Sequence, residues 1–288
     1  MKTQNYNNKL IFVLLLLLFT GFIQAQGTKK LVILYTNDTH SRMDPIPKTA
    51  SKNADKGGVI RRQAYIEQVR KENPNVLVLQ AGDIVQGTPY YNLFLGKADM
   101  DMMNFIGYDA SCLGNHEFDL GLKGLGDLIE WANFPFIATN YDFSGTFLAG
   151  KLKEYLIFKK NGIKIGIIGI GIDPEHLIAK KNYAGMTFLD PATTATTTAT
   201  FLKEKMKCDI VICLSHLGYY INQPSKFGDI ELAQNTRNVD VIIGGHSHTL
   251  LPTLVKESNL DGKNVIITQM EKDGVYVGRL NILFSEKK

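Results

Sequence analysis

Short apolar runs alternate with amphipathic stretches along most of this chain, and the alternation predicts strands and helices in turn. The runs have the length and branched side chains of buried strands, and several stretches between them repeat apolar residues at helical spacing. The predicted strands are Leu31–Thr36, Val76–Gln80, Ala110–Leu113, Phe136–Thr139, Ile210–Leu214 and Val239–Ile243. The predicted helices are Val59–Lys71, Tyr90–Ile106 with a break near Gly96, Leu122–Trp131 and Pro191–Lys207.

Hairpin signals appear in the second half of the chain. Tyr155–Lys159 and Ile163–Ile170 are joined across Asn161-Gly162, a pair typical of a tight hairpin turn. Val265–Thr268 and Val275–Phe284 are predicted as antiparallel strands. Because parallel-type alternation and hairpins occur together, the pattern favours an α/β (α+β mixed) fold with mixed sheets and outer helices. We predict one domain from about residue 28 to residue 284.

Polar clusters follow five of the apolar runs directly, and they hold five of the six histidines. The carboxyl ends of neighbouring strands converge on one edge of a sheet, where open α/β sheets place their sites. The clusters are Asn37-Asp38-Thr39-His40, Gly82-Asp83, Gly114-Asn115-His116-Glu117-Phe118-Asp119, Ser215-His216 and Gly244-Gly245-His246-Ser247-His248. Aspartate, histidine and asparagine gathered in this way predict a metal site, with too many ligands for a single ion.

The first two clusters supply carboxylates for such a site. Asp38 and His40 stand two residues apart, so in extended backbone both side chains point the same way and can share one ion. An oxygen and an imidazole nitrogen suit Zn, Mn or Fe better than Ca. Asp83 is a lone carboxylate whose two oxygens can bridge two cations. The alternatives are a solvated strand end for the first pair and a turn-capping aspartate for Asp83.

The third cluster combines a metal ligand with a catalytic group. In extended backbone Asn115 would offer its carbonyl oxygen to a metal while His116 faces the substrate. Asp119 follows three residues later, and in a turn it can hold the tautomer of the His116 ring. The alternative is a helix start capped by Asn115.

The remaining histidines are three candidate ligands and one residue with no predicted role in the site. His246 and His248 follow two glycines that let the backbone approach the metals, and each can offer a nitrogen to a different ion. His216 is either a ligand or a satisfied core-edge histidine. His176 lies outside the pattern and is predicted to be a surface residue.

The first 25 residues have the character of a secretory signal peptide. Lys2 and Lys9 precede a compact apolar run, Leu10–Phe19, and small residues suggest cleavage after Ala25. The run is shorter than the roughly 20 residues of a membrane span, so we expect an exported protein, periplasmic or secreted, without a stable span after cleavage. A membrane anchor is the alternative.

Composition narrows the class of protein further. The chain has 288 residues, 44% of them hydrophobic and 21% charged, as in ordinary globular proteins. Removing residues 1–25 takes away two lysines and no acids, so the net charge falls from +4 to +2. A nucleic-acid polymer is not favoured as a partner, because no basic stripe is present. The three cysteines are predicted to be buried free thiols rather than a disulfide.

The motifs NDTH, GDIVQG, GNHEFD, SHLG and GGHSHT, in this order, resemble those of the calcineurin-like metallophosphoesterase superfamily. GNHEFD with GDIVQG is similar to the N-terminal catalytic domain of the 5′-nucleotidase and UDP-sugar hydrolase family. The resemblance covers almost the whole mature chain and implies two packed mixed β-sheets flanked by helices, a four-layer fold.

The same resemblance implies roles for individual residues. The ligands implied for one metal are Asp38, His40, Asp83 and His248. The ligands implied for the second are Asp83, Asn115, His216 and His246, so that Asp83 bridges. His116 and Asp119 match the catalytic dyad, and Asn115 and His116 would also contact substrate. The family often has an amide where this chain has His248, which leaves the choice among Zn, Mn and Fe open.

The implied function is hydrolysis of phosphate monoesters, most specifically of nucleotides, by water activated between two divalent ions. The alternatives are a broad phosphomonoesterase, a 2′,3′-cyclic-nucleotide phosphodiesterase and a non-catalytic metal-binding or partner-binding module. The family's C-terminal substrate-binding domain is expected to be absent, because the sequence ends soon after Phe284. A separate exported chain would then supply that domain, or this domain would act alone.

Overall fold

A computed structural model describes residues 28–223 and 226–285, so the predicted signal peptide lies outside the described residues. The strands are β1 (Thr28–Thr36), β2 (Val76–Gln80), β3 (Ala110–Cys112), β4 (Phe136–Ile137), β5 (Tyr141–Asp142), β6 (Tyr155–Lys160), β7 (Ile163–Ile170), β8 (Thr187–Phe188), β9 (Ile210–Ser215), β10 (Val241–Ile243), β11 (Val255–Ser258), β12 (Asn264–Thr268) and β13 (Gly278–Ser285). The helices are α1 (Val59–Glu72), α2 (Pro89–Phe94), α3 (Lys97–Ile106), α4 (Gly121–Trp131), α5 (Pro191–Glu204) and α6 (Asp229–Gln234), and short 3₁₀ helices lie at His116–Phe118 and Lys180–Asn182.

Two mixed sheets form the centre of the fold. The first has the strand order β13-β1-β2-β3-β4, in which only β13 runs antiparallel to its neighbour. The second has the order β11-β12-β10-β9-β7-β6, with parallel inner strands and an antiparallel strand at each edge. Both sheets therefore carry parallel strands whose carboxyl ends can build a site.

Alternation along the strands divides the core into layers. Leu31 and Ile33 of β1 belong to a core between the two sheets, together with Ile165 of β7. Val32, one position out of phase, belongs to a second core with Ile66 of α1. A third core joins the outer face of the second sheet to α5 and α6. The predicted arrangement of two packed mixed sheets between outer helices, four layers in all, is confirmed.

The threonine-rich helix α5 forms although its β-branched residues disfavour helical backbone. Asp190 caps it by accepting a hydrogen bond from the Thr193 amide at 2.8 Å, and Pro191 occupies the first turn. The helix buries Ala195, Ala199 and Leu202 against the second sheet. Packing of this face therefore outweighs the local propensity.

The end of the chain differs in detail from the prediction. β12 and β13 are both present, but they do not pair with each other. β12 lies in the second sheet, parallel to β10 and antiparallel to β11, whereas β13 pairs antiparallel with β1 in the first. Four short elements were not predicted from the sequence: β5, β8, β11 and α6, which have two to six residues each. Elements this short carry too few periods to produce a readable pattern.

Several single-residue predictions are confirmed. Cys112, Cys208 and Cys213 are buried free thiols, and His176 is exposed. Asn161-Gly162 joins β6 and β7 with positive φ at both residues, as a tight hairpin turn requires. Among residues 28–223 and 226–285, no helix has both the length and the apolar character needed to cross a bilayer.

Candidate metal centre

The loops that follow β1, β2, β3, β9 and β10 meet at one edge of the two sheets, as the sequence predicts. The Nε2 atoms of His40 and His248 lie 3.0 Å apart, and His248 Nε2 lies 3.4 Å from Asp38 Oδ1. His40 Nε2 is 3.9 Å from the same Asp38 oxygen. Three potential ligand atoms therefore converge from loops at opposite ends of the chain, and together they could hold one metal ion.

Asp83 lies between this first group and a second one. Its Oδ2 atom is 4.0 Å from His40 Nε2 on one side and 3.0 Å from His216 Nε2 on the other. Asp83, His216 and His246 form the second group of potential ligand atoms. A carboxylate has two oxygens, so one placed between two groups of potential ligand atoms is able to contact a cation in each.

Asn115 and His246 complete the second group. Asn115 Oδ1 lies 2.9 Å from His246 Nδ1, and the His246 amide donates to Asp38 Oδ1 at 3.0 Å. The structure thus brings together all seven residues predicted as ligands. They are Asp38, His40, Asp83, Asn115, His216, His246 and His248.

One buried atom favours metal ions over an ordinary polar cluster. His216 is fully buried and donates from Nδ1 to the Ala81 carbonyl oxygen at 2.7 Å, which leaves Nε2 as the atom that could bind a metal. Its Nε2 atom has no hydrogen-bond partner among the described residues, although Asp83 Oδ2 lies within 3.0 Å outside hydrogen-bond geometry. A buried nitrogen that faces a carboxylate outside hydrogen-bond geometry is poorly satisfied, which is costly in a protein interior. A metal ion at this place would satisfy it.

The backbone at the ligands is not extended, which corrects part of the sequence reasoning. Asp38, His40, Asp83, His246 and His248 have φ angles of 49°, 48°, 51°, 70° and 53°. This left-handed region is uncommon for residues with a Cβ atom, and strain of this kind is concentrated at functional sites. The prediction that two-residue spacing in extended backbone aligns Asp38 with His40 is therefore wrong, even though the two side chains do converge.

The third cluster likewise turns instead of running straight. Asn115 has φ −74° and ψ −30° and precedes the 3₁₀ helix at His116–Phe118. The prediction of extended backbone at Asn115 and His116 is therefore wrong, because the backbone there is right-handed helical. The turn brings Asp119 back to the His116 ring, with 3.0 Å between Asp119 Oδ2 and His116 Nδ1. The predicted contact between these two side chains is therefore present.

His116 lies beside the metal centre and stays accessible. Its ring centroid is 5.4 Å from that of His40, and its side chain is 29% exposed. Partial burial acts to lower the pKa of His116, but the hydrogen bond to Asp119 and the charge of Asp83 raise it above its usual value. A ring that can carry a proton at the open side of a metal centre is suited to receive or donate one.

Glycines allow the loops to approach one another. A Cβ atom on Gly82 would lie 2.6 Å from His216 Nδ1, and a Cβ atom on Gly245 would lie 2.5 Å from the Ala81 carbonyl oxygen. Neither distance is possible for real atoms in contact, so a side chain at either position would push the ligand loops apart.

Charge is balanced inside the site by opposite shifts of pKa. Burial opposes the charge on Asp83, but His216 and more distant imidazoles lower the pKa of its carboxyl below the usual value. Burial likewise opposes protonation of His216, yet Asp83 and then Asp38 raise its pKa to about 10. Burial and the neighbouring His216 lower the pKa of His246 to about 4. The His246 ring is therefore neutral at neutral pH, as a metal ligand must be, whereas a cation binding at His216 would have to displace a proton.

Glu117 is a structural residue for which the sequence predicts no role of its own. It is 1% exposed, and its carboxylate accepts hydrogen bonds from the backbone amides of Asp83 at 3.0 Å, Ile84 at 2.8 Å and Gly114 at 2.6 Å. Burial first and Asp83 second raise the pKa of Glu117 to about 7. The position of Glu117 inside the GNHEFD motif could have indicated a role in the site.

Two amides support the remaining loops. Asn37 donates to Asp38 Oδ2 and to the Glu271 carbonyl oxygen, both at 2.6 Å, and accepts from the Met270 amide at 2.8 Å. Gln269 donates to the Gly245 carbonyl oxygen at 2.6 Å. The place of Asn37 directly before Asp38 could have indicated its role. No sequence signal marks Gln269, because it acts from a distant strand end.

Comparison with known proteins agrees with this geometry. Residues 31–250 match the family described as calcineurin-like phosphoesterase. The chain belongs to this family. The predicted family and fold are thereby confirmed, and membership supports the predicted enzyme class, a phosphoric ester hydrolase.

Individual relatives point to the 5′-nucleotidase branch. The snake venom 5′-nucleotidase of Gloydius brevicauda is 33% identical over 285 residues, which cover 91% of this chain and 47% of the relative. The 5′-nucleotidase precursor from Thermus thermophilus superposes with a TM-score of 0.80 at 35% identity, covering 89% of this chain and 52% of that one. The calcineurin-like phosphoesterase YfkN from Bacillus subtilis superposes with a TM-score of 0.73 at 28% identity, covering 91% and 87%. The chain thus spans about half the length of the first two proteins.

Proposed function

We propose that this chain is an exported phosphoesterase with two metal ions, and that it hydrolyses phosphate monoesters, with nucleotides as the principal substrates. The observation that carries the proposal is the position of Asp83 between two groups of ligand atoms. His40, which forms one ligand group with Asp38 and His248, lies 4.0 Å from Asp83 Oδ2, and His216, which forms the other group with Asp83 and His246, lies 3.0 Å from the same oxygen. Zn, Mn and Fe suit such a mixture of nitrogen and oxygen donors.

Two divalent ions bound there would lower the pKa of a water molecule and stabilise negative charge on phosphate oxygens. The protein residues hold the ligands in place and manage protons. Glu117 fixes the amide of Asp83, and the His116 amide donates to Asp83 Oδ1 at 2.9 Å. The Asp83 carboxylate, which would hold the ions, is therefore oriented by the protein alone.

His116 and Asp119 act on the substrate side. Asp119 accepts at 3.0 Å from His116 Nδ1, which leaves Nε2 free to face a phosphoryl oxygen or the departing oxygen. In this position His116 would donate a hydrogen bond to charge that grows as the ester bond breaks, and would protonate the leaving oxygen. Asn115, at the edge of the second ligand group, would contact the phosphoryl group as well.

Substrate class and export have separate support. Relatives that are named 5′-nucleotidases favour nucleotides, and the venom origin of one of them favours an exported protein. The character of residues 1–25 points the same way.

Hydrolysis by the purified mature chain, with Mn, Zn, Co or no added metal, tests the proposal. We expect metal-dependent release of phosphate from AMP, and a metal content near two ions per chain by elemental analysis. Asp83→Ala should lower both the metal content and the rate, by at least about 10²-fold in kcat. Asp101→Ala, which removes an exposed carboxylate on α3, is the matched control. Full activity of Asp83→Ala would contradict the two-ion mechanism.

The substrate panel separates the remaining alternatives. A preference for AMP over p-nitrophenyl phosphate supports nucleotide hydrolysis, and equal rates indicate a broad phosphomonoesterase. Faster hydrolysis of 2′,3′-cyclic AMP than of AMP would replace the proposed activity with that of a cyclic-nucleotide phosphodiesterase. Stoichiometric metal binding without hydrolysis of any ester would indicate a non-catalytic module.

A further inference from the structure

A cavity of about 770 Å³ opens directly beside the metal centre. We propose that it is the subsite for the leaving group of the phosphoester, and that it selects a leaving group that is aromatic and uncharged. The inference rests on the proposed function, because it gives the half of the substrate beyond the ester oxygen a place within this chain.

The cavity and the metal centre share a wall. His246 lines the cavity, and its Nδ1 atom lies 2.9 Å from Asn115 Oδ1 in the second ligand group. A phosphoryl group held at that ligand group would therefore have the cavity as its immediate neighbour. The volume is within the range of roughly 300–1,000 Å³ that small-molecule sites have.

Part of the cavity wall is aromatic and partly open to solvent. Phe227 lines the cavity with 40% of its surface exposed. Tyr220 is half-buried beside it, and the Nζ atom of Lys226 lies 4.4 Å from the centre of the Tyr220 ring. A Cβ atom on Gly218 would lie 2.6 Å from this ring, so the ring packs directly on the backbone. Aromatic rings in a cavity wall favour a planar partner, because a flat group such as a nucleobase can stack on them.

The other groups in the lining set the polarity of the ligand. Apolar contacts come from Ile172, Phe188 and Leu217. Asp173, Glu175 and Asp190 contribute three carboxylates against the single ammonium of Lys226, which already lies over Tyr220. Carboxylates can accept hydrogen bonds from the amino groups of a nucleobase, but they repel an anionic leaving group. A nucleoside fits this lining, whereas a leaving group that keeps a phosphate of its own does not.

Two substrates that differ only by the base test the subsite. We compare kcat/KM for AMP and for ribose 5-phosphate in the wild-type chain, Phe227→Ala and Phe227→Tyr. Phe227→Ala should lower kcat/KM for AMP about tenfold more than for ribose 5-phosphate, and Phe227→Tyr should restore most of the loss. Ile221→Ala, a 61% exposed residue of the same connection outside the lining, is the matched control and should change neither.

A comparison of ADP with AMP tests whether the carboxylates of the cavity disfavour a charged leaving group. The leaving group of ADP is AMP, which carries negative charge into the cavity. Glu175→Gln should raise kcat/KM for ADP relative to AMP about twofold at low salt, and the difference should shrink at a salt concentration of about 0.5 M because exposed charges are screened. An unchanged ratio would refute the role assigned to the carboxylates.

Failure of the subsite and failure of the proposed function give different results. If both esters are hydrolysed and Phe227→Ala does not change the ratio of kcat/KM for AMP to kcat/KM for ribose 5-phosphate, the subsite is refuted. The proposed phosphoesterase activity then still stands. If neither ester is hydrolysed, the proposed function fails, and calorimetry with adenosine still decides the subsite. We expect adenosine to bind the wild-type chain about tenfold more tightly than it binds Phe227→Ala, and equal binding overturns the inference.

Discussion

Glu117 connects two ligand loops through one buried carboxylate, so its replacement should be far more costly than that of an exposed acid. Its Oε2 atom accepts from the amides of Asp83 and Gly114, and its Oε1 atom accepts from the amide of Ile84. Two substitutions of Glu117 test this expectation. Glu117→Ala removes both acceptors, whereas Glu117→Gln keeps one carbonyl oxygen and replaces the other with an amide that cannot accept.

The magnitude follows from the number of donors left without an acceptor. Glu117→Ala strands three backbone amides, and each buried unsatisfied group costs about 1–3 kcal/mol, which gives about 3–9 kcal/mol. That is comparable with the whole stability of a typical domain, about 5–15 kcal/mol. Glu117→Gln can place its oxygen where two donors meet and then strands one, so we expect a loss of about 1–3 kcal/mol.

Urea unfolding of the chelator-treated protein, followed by far-UV circular dichroism, measures these losses without any contribution from bound metal. Glu130→Gln is the matched control, because Glu130 is exposed on α4 and the substitution is the same. We expect its free energy of unfolding to stay within about 0.5 kcal/mol of the wild-type value.

The two variants also refute the reasoning in different ways. If Glu117→Ala were as stable as Glu130→Gln, the three hydrogen bonds would not hold the loops together. If Glu117→Gln lost as much as Glu117→Ala, the negative charge, and not the number of acceptors, would be the stabilising feature.

Two further predictions concern the dyad and a buried acid. Asp119→Asn should lower kcat for AMP by roughly 10²-fold with little change in metal content, because His116 loses the carboxylate that orients it. Steady-state kinetics and elemental analysis measure the two quantities. An unchanged kcat would exclude the proposed His116–Asp119 dyad. Burial raises the pKa of Asp99 from 3.8 to about 7, so the folded state retains a proton that the unfolded state releases. The contribution of protonated Asp99 to the free energy of unfolding is therefore complete below about pH 4. This contribution, up to roughly 4 kcal/mol, is lost as the pH rises through about 7. Asp99→Asn should flatten this dependence in urea unfolding measured from about pH 4 to about pH 8, and an unchanged slope would contradict the assignment.

The apolar runs were sufficient to place the main elements because burial on both faces leaves a continuous pattern. β2 has the predicted bounds, Val76–Gln80, and all five of its residues are buried. The break predicted near Gly96 is also present, since Gly96 has a φ of 93° and separates α2 from α3. In these segments local sequence and tertiary packing favour the same structure.

The pairing of the strands was harder to predict from the sequence, because period-two alternation shows that a strand exists but not where it pairs. β13 pairs with β1 across almost the whole chain, with Leu283 opposite Lys30 and Leu280 opposite Ile33. β12 resembles β13 in its alternation but joins the other sheet. The choice depends on which edge remains open after the other strands have paired, and that is a property of the assembled fold.

The candidate site was predicted from residue types and their order, although the backbone geometry assumed for it was wrong. Topology explains the difference. Five strands deliver their carboxyl ends to one edge, so Asp38, His40 and His248 meet there whatever the local backbone does. The local geometry then depends on groups with no motif of their own, as when Gln269 holds the Gly245 carbonyl oxygen from the end of another strand. Left-handed backbone at the ligands persists only because such contacts over-determine it. Substitution of a supporting residue such as Gln269 should therefore weaken metal binding, although no motif contains it.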